Sequence, residues 1–239
     1  RDVRDEARPF RVEVRLAAPV SLNHPWLHLD GILAHLAVNR VAGRAQYSRP
    51  TKAVQSYSAR DLGPYAHALA RTPVAQGSIS YFGPEERLCS LQFFKRFEER
   101  GFPARRKIAM GFGHYRAWMM RVVYVPAEWA VFYGRGDVGL VRDLLDDLTH
   151  LGNKTRAGWG RVASVSVEEI AENRSLVWEG RAMRPLPVRI LRRWSDSLPM
   201  AAQAPYWDPS NVEMCAPPGA EVELMSAREA RRIGAVAHG

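Results

Sequence analysis

Cysteine is scarce in this chain. Its 239 residues include only Cys89 and Cys215, and neither stands in a CxxC pair. That spacing excludes a zinc ribbon and a disulfide-stapled scaffold and fits a reducing compartment, so a cytoplasmic location is expected. No apolar run approaches the ~18 residues that a membrane span requires. The opening RDVRDEARPF has no signal-peptide core, and no membrane partner is expected. GxSxG, HExxH and the Walker pattern GxxxxGK[ST] are also missing. Their absence removes familiar hydrolase, metalloprotease and nucleotide-binding readings and leaves no cofactor to expect.

Acidic residues are in deficit: 25 Asp+Glu face 34 Lys+Arg, a formal net charge of +9. Such a balance points to an anionic partner, nucleic acid before an anionic membrane surface. Nearly all the cations are arginine, which forks onto phosphates and stacks on bases. GC-rich codon usage favours the same residue and explains the ratio equally well. With 46% hydrophobic residues, a sizeable packed core is expected.

Hydrophobic periodicity then orders the chain. Phe10, Val12, Val14 and Leu16 alternate with Arg11, Glu13 and Arg15, as in a strand with one wet face. Leu29, Ile32, Leu33 and Leu36 predict a helix over Asp30–Asn39 with Asp30 as its N-cap. Leu88–Phe97 suits a strand or a helix, and Arg116–Tyr133 reads as two strands parted near Pro126–Glu128. Val138, Val141, Leu144, Leu145, Leu148 and Leu151 predict a helix capped by Asp137, with Gly152 in the left-handed position past its end. Arg161–Ile170 alternates again, with Val162, Ala163, Val165 and Val167 interspersed with serines, as a closing strand.

That order predicts an α+β chain: a ferredoxin-like, RNA-recognition-type βαββαβ domain over residues 1–172, with insertions around 41–115 that include a basic hairpin. Its sheet would keep a free face for a single strand. From 173 to 239 prolines recur, yet Trp178, Trp194 and Trp207 argue for a Pro/Trp-rich C-terminal extension packed on that domain.

Between the second helix and the closing strand lies HLGNKTRAGWGRV. Gly152, Gly158 and Gly160 permit unusual dihedrals and a close approach to a ligand. Lys154, Arg156 and Arg161 add charge and Thr155 a hydroxyl, and backbone N–H groups in such a loop suit phosphates. Trp159 can stack on a base or anchor the loop; beside a strand, a Trp is more often core.

The GNKTRAGWGRV turn after a helix resembles the glycine-rich loop of the RAMP superfamily of CRISPR-associated proteins, and PWLHLDGILAHL resembles the start of that superfamily's first helix. Together they are most similar to the five-type subunit of type IV CRISPR effector complexes. The resemblance covers the first strand and helix and about Phe132 to Ile170. It implies a subunit that holds the 5′ handle of the CRISPR RNA beside the seven-type backbone subunit and a large-subunit-like protein. It also implies a contribution to reading the protospacer-adjacent motif of target DNA.

A second basic stretch, ARRKIAMGFGHYRAW, interleaves Arg105, Arg106, Lys107, His114 and Arg116 with Phe112, Tyr115 and Trp118. Cations hold phosphates and aromatics stack on bases in single-strand binding. A solvated hairpin with packed aromatics explains the same residues. The resemblance implies that Arg105–Tyr115 projects as a β-hairpin thumb over the RNA handle. Two looser clusters, Arg40/Arg44/Arg49/Lys52 and Arg189/Arg192/Arg193, read mainly as solvated surface.

Related RAMP proteins include metal-independent endoribonucleases, which supply the alternative of an enzyme that cuts precursor CRISPR RNA. His28, Tyr57, Lys107 and His114 would then be the acid–base candidates. A histidine between Leu27 and Leu29 is more often structural, and the spacing of His24, His28, Asp30 and His35 matches no zinc motif. The chain is expected to be non-catalytic and metal-free.

Overall fold

The alternation at Phe10–Leu16 becomes β1 (Arg8–Leu16) in a computed structural model that describes residues 7–43, 58–71, 74–95, 116–226 and 229. Pro19 ends it, and the short β2 (Val20–Ser21) follows. The first helix, α1 (Leu29–Ala42), starts earlier than expected. Its N-cap is His28, without a side-chain cap bond, so Asp30 lies inside the first turn and is not the cap. Next come the single turn α2 (Ala59–Leu62), closed by a reciprocal Ser58/Asp61 capping box, and a 3₁₀ turn at Gly63–His67. The strands β3 (Tyr81–Gly83), β4 (Cys89–Lys95), β5 (Trp118–Val125) and β6 (Trp129–Gly136) precede α3 (Val138–Leu145) and β7 (Val162–Glu169). Seven short strands complete the described chain: β8 (Val177–Trp178), β9 (Arg181–Ala182), β10 (Leu186–Pro187), β11 (Leu191–Trp194), β12 (Leu198–Ala201), β13 (Val212–Ala216) and β14 (Val222–Leu224).

The fold is a mixed α+β arrangement dominated by strands. Its largest sheet has the order β3-β6-β1-β7, and each neighbouring pair is antiparallel. Phe10, Val12 and Val14 of β1 and Ala130 and Phe132 of β6 bury their side chains with Leu33 and Leu36 of α1 and Val141 and Leu144 of α3. Both helices therefore cover one face. Gly134 stands opposite Phe10, where a Cβ would fall 2.3 Å from the ring; only glycine leaves that ring its space.

Asp137 caps α3 as expected, its carboxylate accepting from the Leu140 N–H at 3.0 Å. The helix stops at Leu145, short of Gly152. Asp147 and Leu148 donate instead to Leu144 and Leu145, tightening the last turn. Leu148 and Leu151 stay buried, so the apolar rhythm outlasts the helix that produced it.

Residues from Leu176 to Val222 enclose a second cluster with Val74, built on Leu186, Ile190 and Leu191. It is fastened to the first by Arg184, whose side chain is fully buried. The guanidinium donates to the carbonyls of Ala75 (2.5 Å), Gly77 (3.1 Å) and Ala202 (2.7 Å), to the Tyr206 hydroxyl (2.8 Å) and to Asp30 (3.3 Å). Tyr206 donates in turn to Asp30 at 2.6 Å. Burial would raise the Asp30 pKa, but Arg184 and Tyr206 hold it below the ordinary carboxylate value.

The sheet's second face is open only in part, where the sequence suggests a free platform: β7 is largely exposed, but the β3/β6 half is covered. The Tyr81 hydroxyl donates to the Met183 sulfur at 3.2 Å, and the Arg174 guanidinium lies 5.8 Å from the Tyr133 ring and 4.5 Å from that of Trp178. The C-terminal segment thus covers the β3/β6 side. On β1, Glu13 engages both Arg11 (2.5 Å) and Arg15 (2.6 Å).

Candidate nucleic-acid interface

The glycine-rich turn has a fixed root and an exposed tip. Asn153 N–H donates to the Ser21 carbonyl, Gly160 N–H to Pro19 and Leu151 N–H to Gly160, each at 2.8 Å. Gly152 (φ +75°) and Gly160 (φ +66°) serve this docking: a Cβ would lie 2.3 Å from the Ser21 oxygen at the first and 1.8 Å from the Leu151 oxygen at the second. Gly158 (φ +84°) alone faces open space. Two of the three glycines therefore let the chain approach itself, not a ligand. Gly158→Ala is expected to cost about 1–2 kcal/mol from its left-handed backbone alone. Gly160→Ala adds a backbone collision and should lower the melting temperature well beyond that; equal melting of the two variants would refute the locked root.

Lys154, Thr155, Arg156, Ala157 and Gly158 form the exposed tip, folded as a 3₁₀ turn over Thr155–Ala157. Lys154 holds φ +57°, a left-handed conformation rare outside glycine. Arg161 is exposed at the start of β7, while Trp159 is half-buried with its ring 5.1 Å from that of Tyr124. Lys154 Nζ approaches the Met120 sulfur at 3.3 Å. Both contacts dock the turn onto β5.

That contact exposes a surface absent from the sequence reading. β4 pairs over its whole length with Trp118–Tyr124 of β5 in the sheet order β2-β5-β4, and Asn153 bridges to Ser21 at the β2 edge. Directly paired residues point to the same face. Tyr124, Cys89, Val122, Leu91, Met120, Phe93, Trp118 and Lys95 therefore share one face, beside Lys154 and Trp159. The ribbon supplies exposed aromatic area at Phe93 and Trp118, and the turn supplies cations. Arg116 is exposed just before β5. Arg105, Arg106, Lys107, His114 and Tyr115 lie outside the described residues, as do Tyr57, Phe112, Arg44, Arg49 and Lys52.

Ion pairing separates the remaining cations. Arg40 is clamped by Asp147 (2.6 Å), Asp143 and the Tyr65 hydroxyl (3.0 Å). Arg189 pairs with Glu213, and Arg192 with Glu223 and Glu229. Among the described residues, no carboxylate pairs with Lys154, Arg156, Arg161, Arg116 or Arg121. These five cations lie on the turn, on the ribbon or directly beside them.

His28 is poorly placed to act as a base. Its ring stacks on Tyr206 at 3.7 Å, its Nε2 accepts from the Trp26 indole at 3.2 Å, and its Nδ1 is buried without a partner. Burial, aided by Arg184 and opposed by Asp30, pushes its pKa down to about 4. Unfolded, the same group titrates near 6.5. The unfolded chain therefore binds the extra proton between those values, so stability is complete above pH ~6.5 and declines toward pH ~4. Melts at pH 7 and pH 5 should differ, and His28→Gln should shrink the difference; an unchanged difference would remove His28 as its source. Among the described residues, no cluster of three or more metal-ligating side chains forms, and no helix is long and apolar enough to cross a membrane.

Residues 90–218 match the family model described as CRISPR type IV associated protein Csf3. The chain belongs to that family. The matched span runs from β4 through the ribbon, β6, α3, the glycine-rich turn and β7 to the end of β13. It omits β1 and α1, where the PWLHLDGILAHL resemblance lies, and includes a C-terminal region that the resemblance does not reach. No curated protein matches this Csf3-family chain in sequence. A chain in the cryo-EM structure of the Type III-B Cmr-beta bound to cognate target RNA aligns with 8% identity and a TM-score of 0.38, covering 70% of this chain and 63% of that one. The Csf3-family chain thus spans less than two thirds of that neighbour's length.

Proposed function

We propose that this Csf3-family protein is a non-catalytic RNA-binding subunit of a type IV CRISPR ribonucleoprotein effector complex. It holds the 5′ handle of the CRISPR RNA across Lys154–Arg161 and the adjoining face of the β4–β5 ribbon. The observation that carries this reading is the docking of an unpaired cationic turn onto an exposed aromatic ribbon, through Lys154–Met120 and Trp159–Tyr124. Phosphates would meet Lys154, Arg156 and Arg161, and splayed bases would stack on Phe93, Trp118 and Trp159. Arg105–Arg116, between the two ribbon strands in sequence, would extend the same surface. The strand order and antiparallel pairing support a ferredoxin-like core. In the particle the subunit would sit beside the seven-type backbone and large-subunit-like proteins, and help read the protospacer-adjacent motif of target DNA.

The test is the RNA that co-purifies with the assembled particle. CRISPR RNA with a discrete 5′ end, protected at the handle by this subunit, is expected. Random cellular RNA, or a handle crosslinked solely to other subunits, would overturn the proposal. Repeat RNA incubated with the purified chain in EDTA should remain intact; discrete cuts would favour the endoribonuclease.

A further inference from the structure

The ribbon has a second face, and its chemistry differs from the first. Ser90, Gln92 and Phe94 pair with Val123, Arg121 and Met119, so these six side chains point away from the glycine-rich turn. Phe94 and Met119 are directly opposed and 65% and 63% exposed. Arg121 follows them on this face without a carboxylate partner among the described residues. Both described lysines, Lys95 and Lys154, belong to the turn side.

Phe, Met and Arg are enriched at protein–protein interfaces, and Lys is depleted there. Among the described residues this face carries one cation, too few for a sugar–phosphate chain, whose binding scales with the number of neutralised phosphates. β4 is also the outer strand of its sheet among the described residues, and Cys89–Lys95 contains no proline. An edge of that kind is ordinarily covered or blunted, and a two-stranded ribbon gains stability from a third layer.

We infer that the Phe94–Met119 face docks a neighbouring protein subunit, one that presents an apolar surface with a carboxylate opposite Arg121. The ribbon is then a two-sided wedge, with nucleic acid against Lys154 and protein against Phe94. The inference rests on the proposed function in placing the chain within a multi-subunit particle.

The experiment uses the full chain, alone and co-expressed with the other subunits and a CRISPR array. Phe94→Ser with Met119→Ser changes exposed side chains, so the melting temperature should hold. Repeat-RNA affinity of the isolated chain, measured by filter binding, should stay within about twofold, the range of ordinary surface substitutions. Occupancy of the variant in the particle, read by native mass spectrometry, should fall about tenfold or more, as for a lost interface anchor. Arg121→Glu should lower occupancy in the same way. Full occupancy of the double variant, or an equal loss of RNA affinity, would overturn the assignment. So would a wild-type homodimer that the double variant dissolves, since the partner would then be a second copy. A wild-type chain that binds no repeat RNA, yet loses its place in the particle through Phe94 and Met119, would refute the RNA reading and leave this one intact.

Discussion

Replacing Arg184 with methionine is expected to destabilise the protein by about 3–5 kcal/mol, the usual cost of removing one partner from a buried ion pair. For a chain of this size that is a fall in melting temperature of roughly 10 °C. The side chain is fully buried, and its loss strands more than Asp30. The carbonyls of Ala75, Gly77 and Ala202 lose a charged donor, and Tyr206 is left as the described side chain holding the carboxylate. Asp30 would then rise in pKa and take up a proton on folding, so the variant should regain stability as the pH falls. Asp30→Asn combined with Arg184→Met should cost less than the two single changes added together, because the combination leaves no unpaired charge. A single variant that melts within about 2 °C of the parent, a shift below 1 kcal/mol at this length, would refute the keystone role.

The second large effect concerns RNA. Lys154→Glu with Arg156→Glu should weaken binding of repeat RNA by about 100-fold or more, since each charged contact contributes about 1.5–3 kcal/mol. The slope of log affinity against log salt should shrink by about 1.4, the value for two phosphate contacts on a single strand. Stability should be nearly unaffected, because both side chains are exposed. Lys154→Gly offers a sharper control. It removes the charge and relieves the left-handed backbone at φ +57°, so it should hold or raise the melting temperature while lowering affinity. A role confined to shaping the turn predicts the reverse: unimpaired affinity for the glycine variant. Unchanged affinity in the double variant, measured at two salt concentrations, would sink the site assignment.

The parts of this fold that could be read directly from sequence are those whose physics is local. β1 is visible in the alternation of Phe10, Val12 and Val14, and the break between β5 and β6 in Pro126. The Asp137 cap is visible in the spacing to the first apolar residue of α3. What escaped detection depends on partners far along the chain. Asp30 looks like a helix cap because caps are local, whereas Arg184 lies 154 residues away. Leu148 and Leu151 keep a helical rhythm while filling the core from a non-helical turn. β4 could not be told from a helix because both its faces bear exposed apolar residues, Leu91 and Phe93 on one and Phe94 on the other, which blur the alternation that an ordinary solvent face would show. Of the candidate site, the cations of the turn were legible. The platform of Met120 and Tyr124 was not, since only the β2–β5 pairing brings it to Asn153.

Under the proposed function, the neutralisation of Arg40, Arg189 and Arg192 by their own aspartates and glutamates would shape the first encounter with RNA. A protein whose excess charge were spread evenly would tumble onto RNA in any orientation and linger in unproductive poses. Here Arg40, Arg189 and Arg192 are cancelled within contact distance, while Lys154, Arg156 and Arg161 have no carboxylate partner among the described residues. With the turn as the proposed RNA contact, an approaching strand would be drawn to it before any base is touched. Capture should be fast in dilute salt and slow markedly as ionic strength rises, even where the final affinity is preserved.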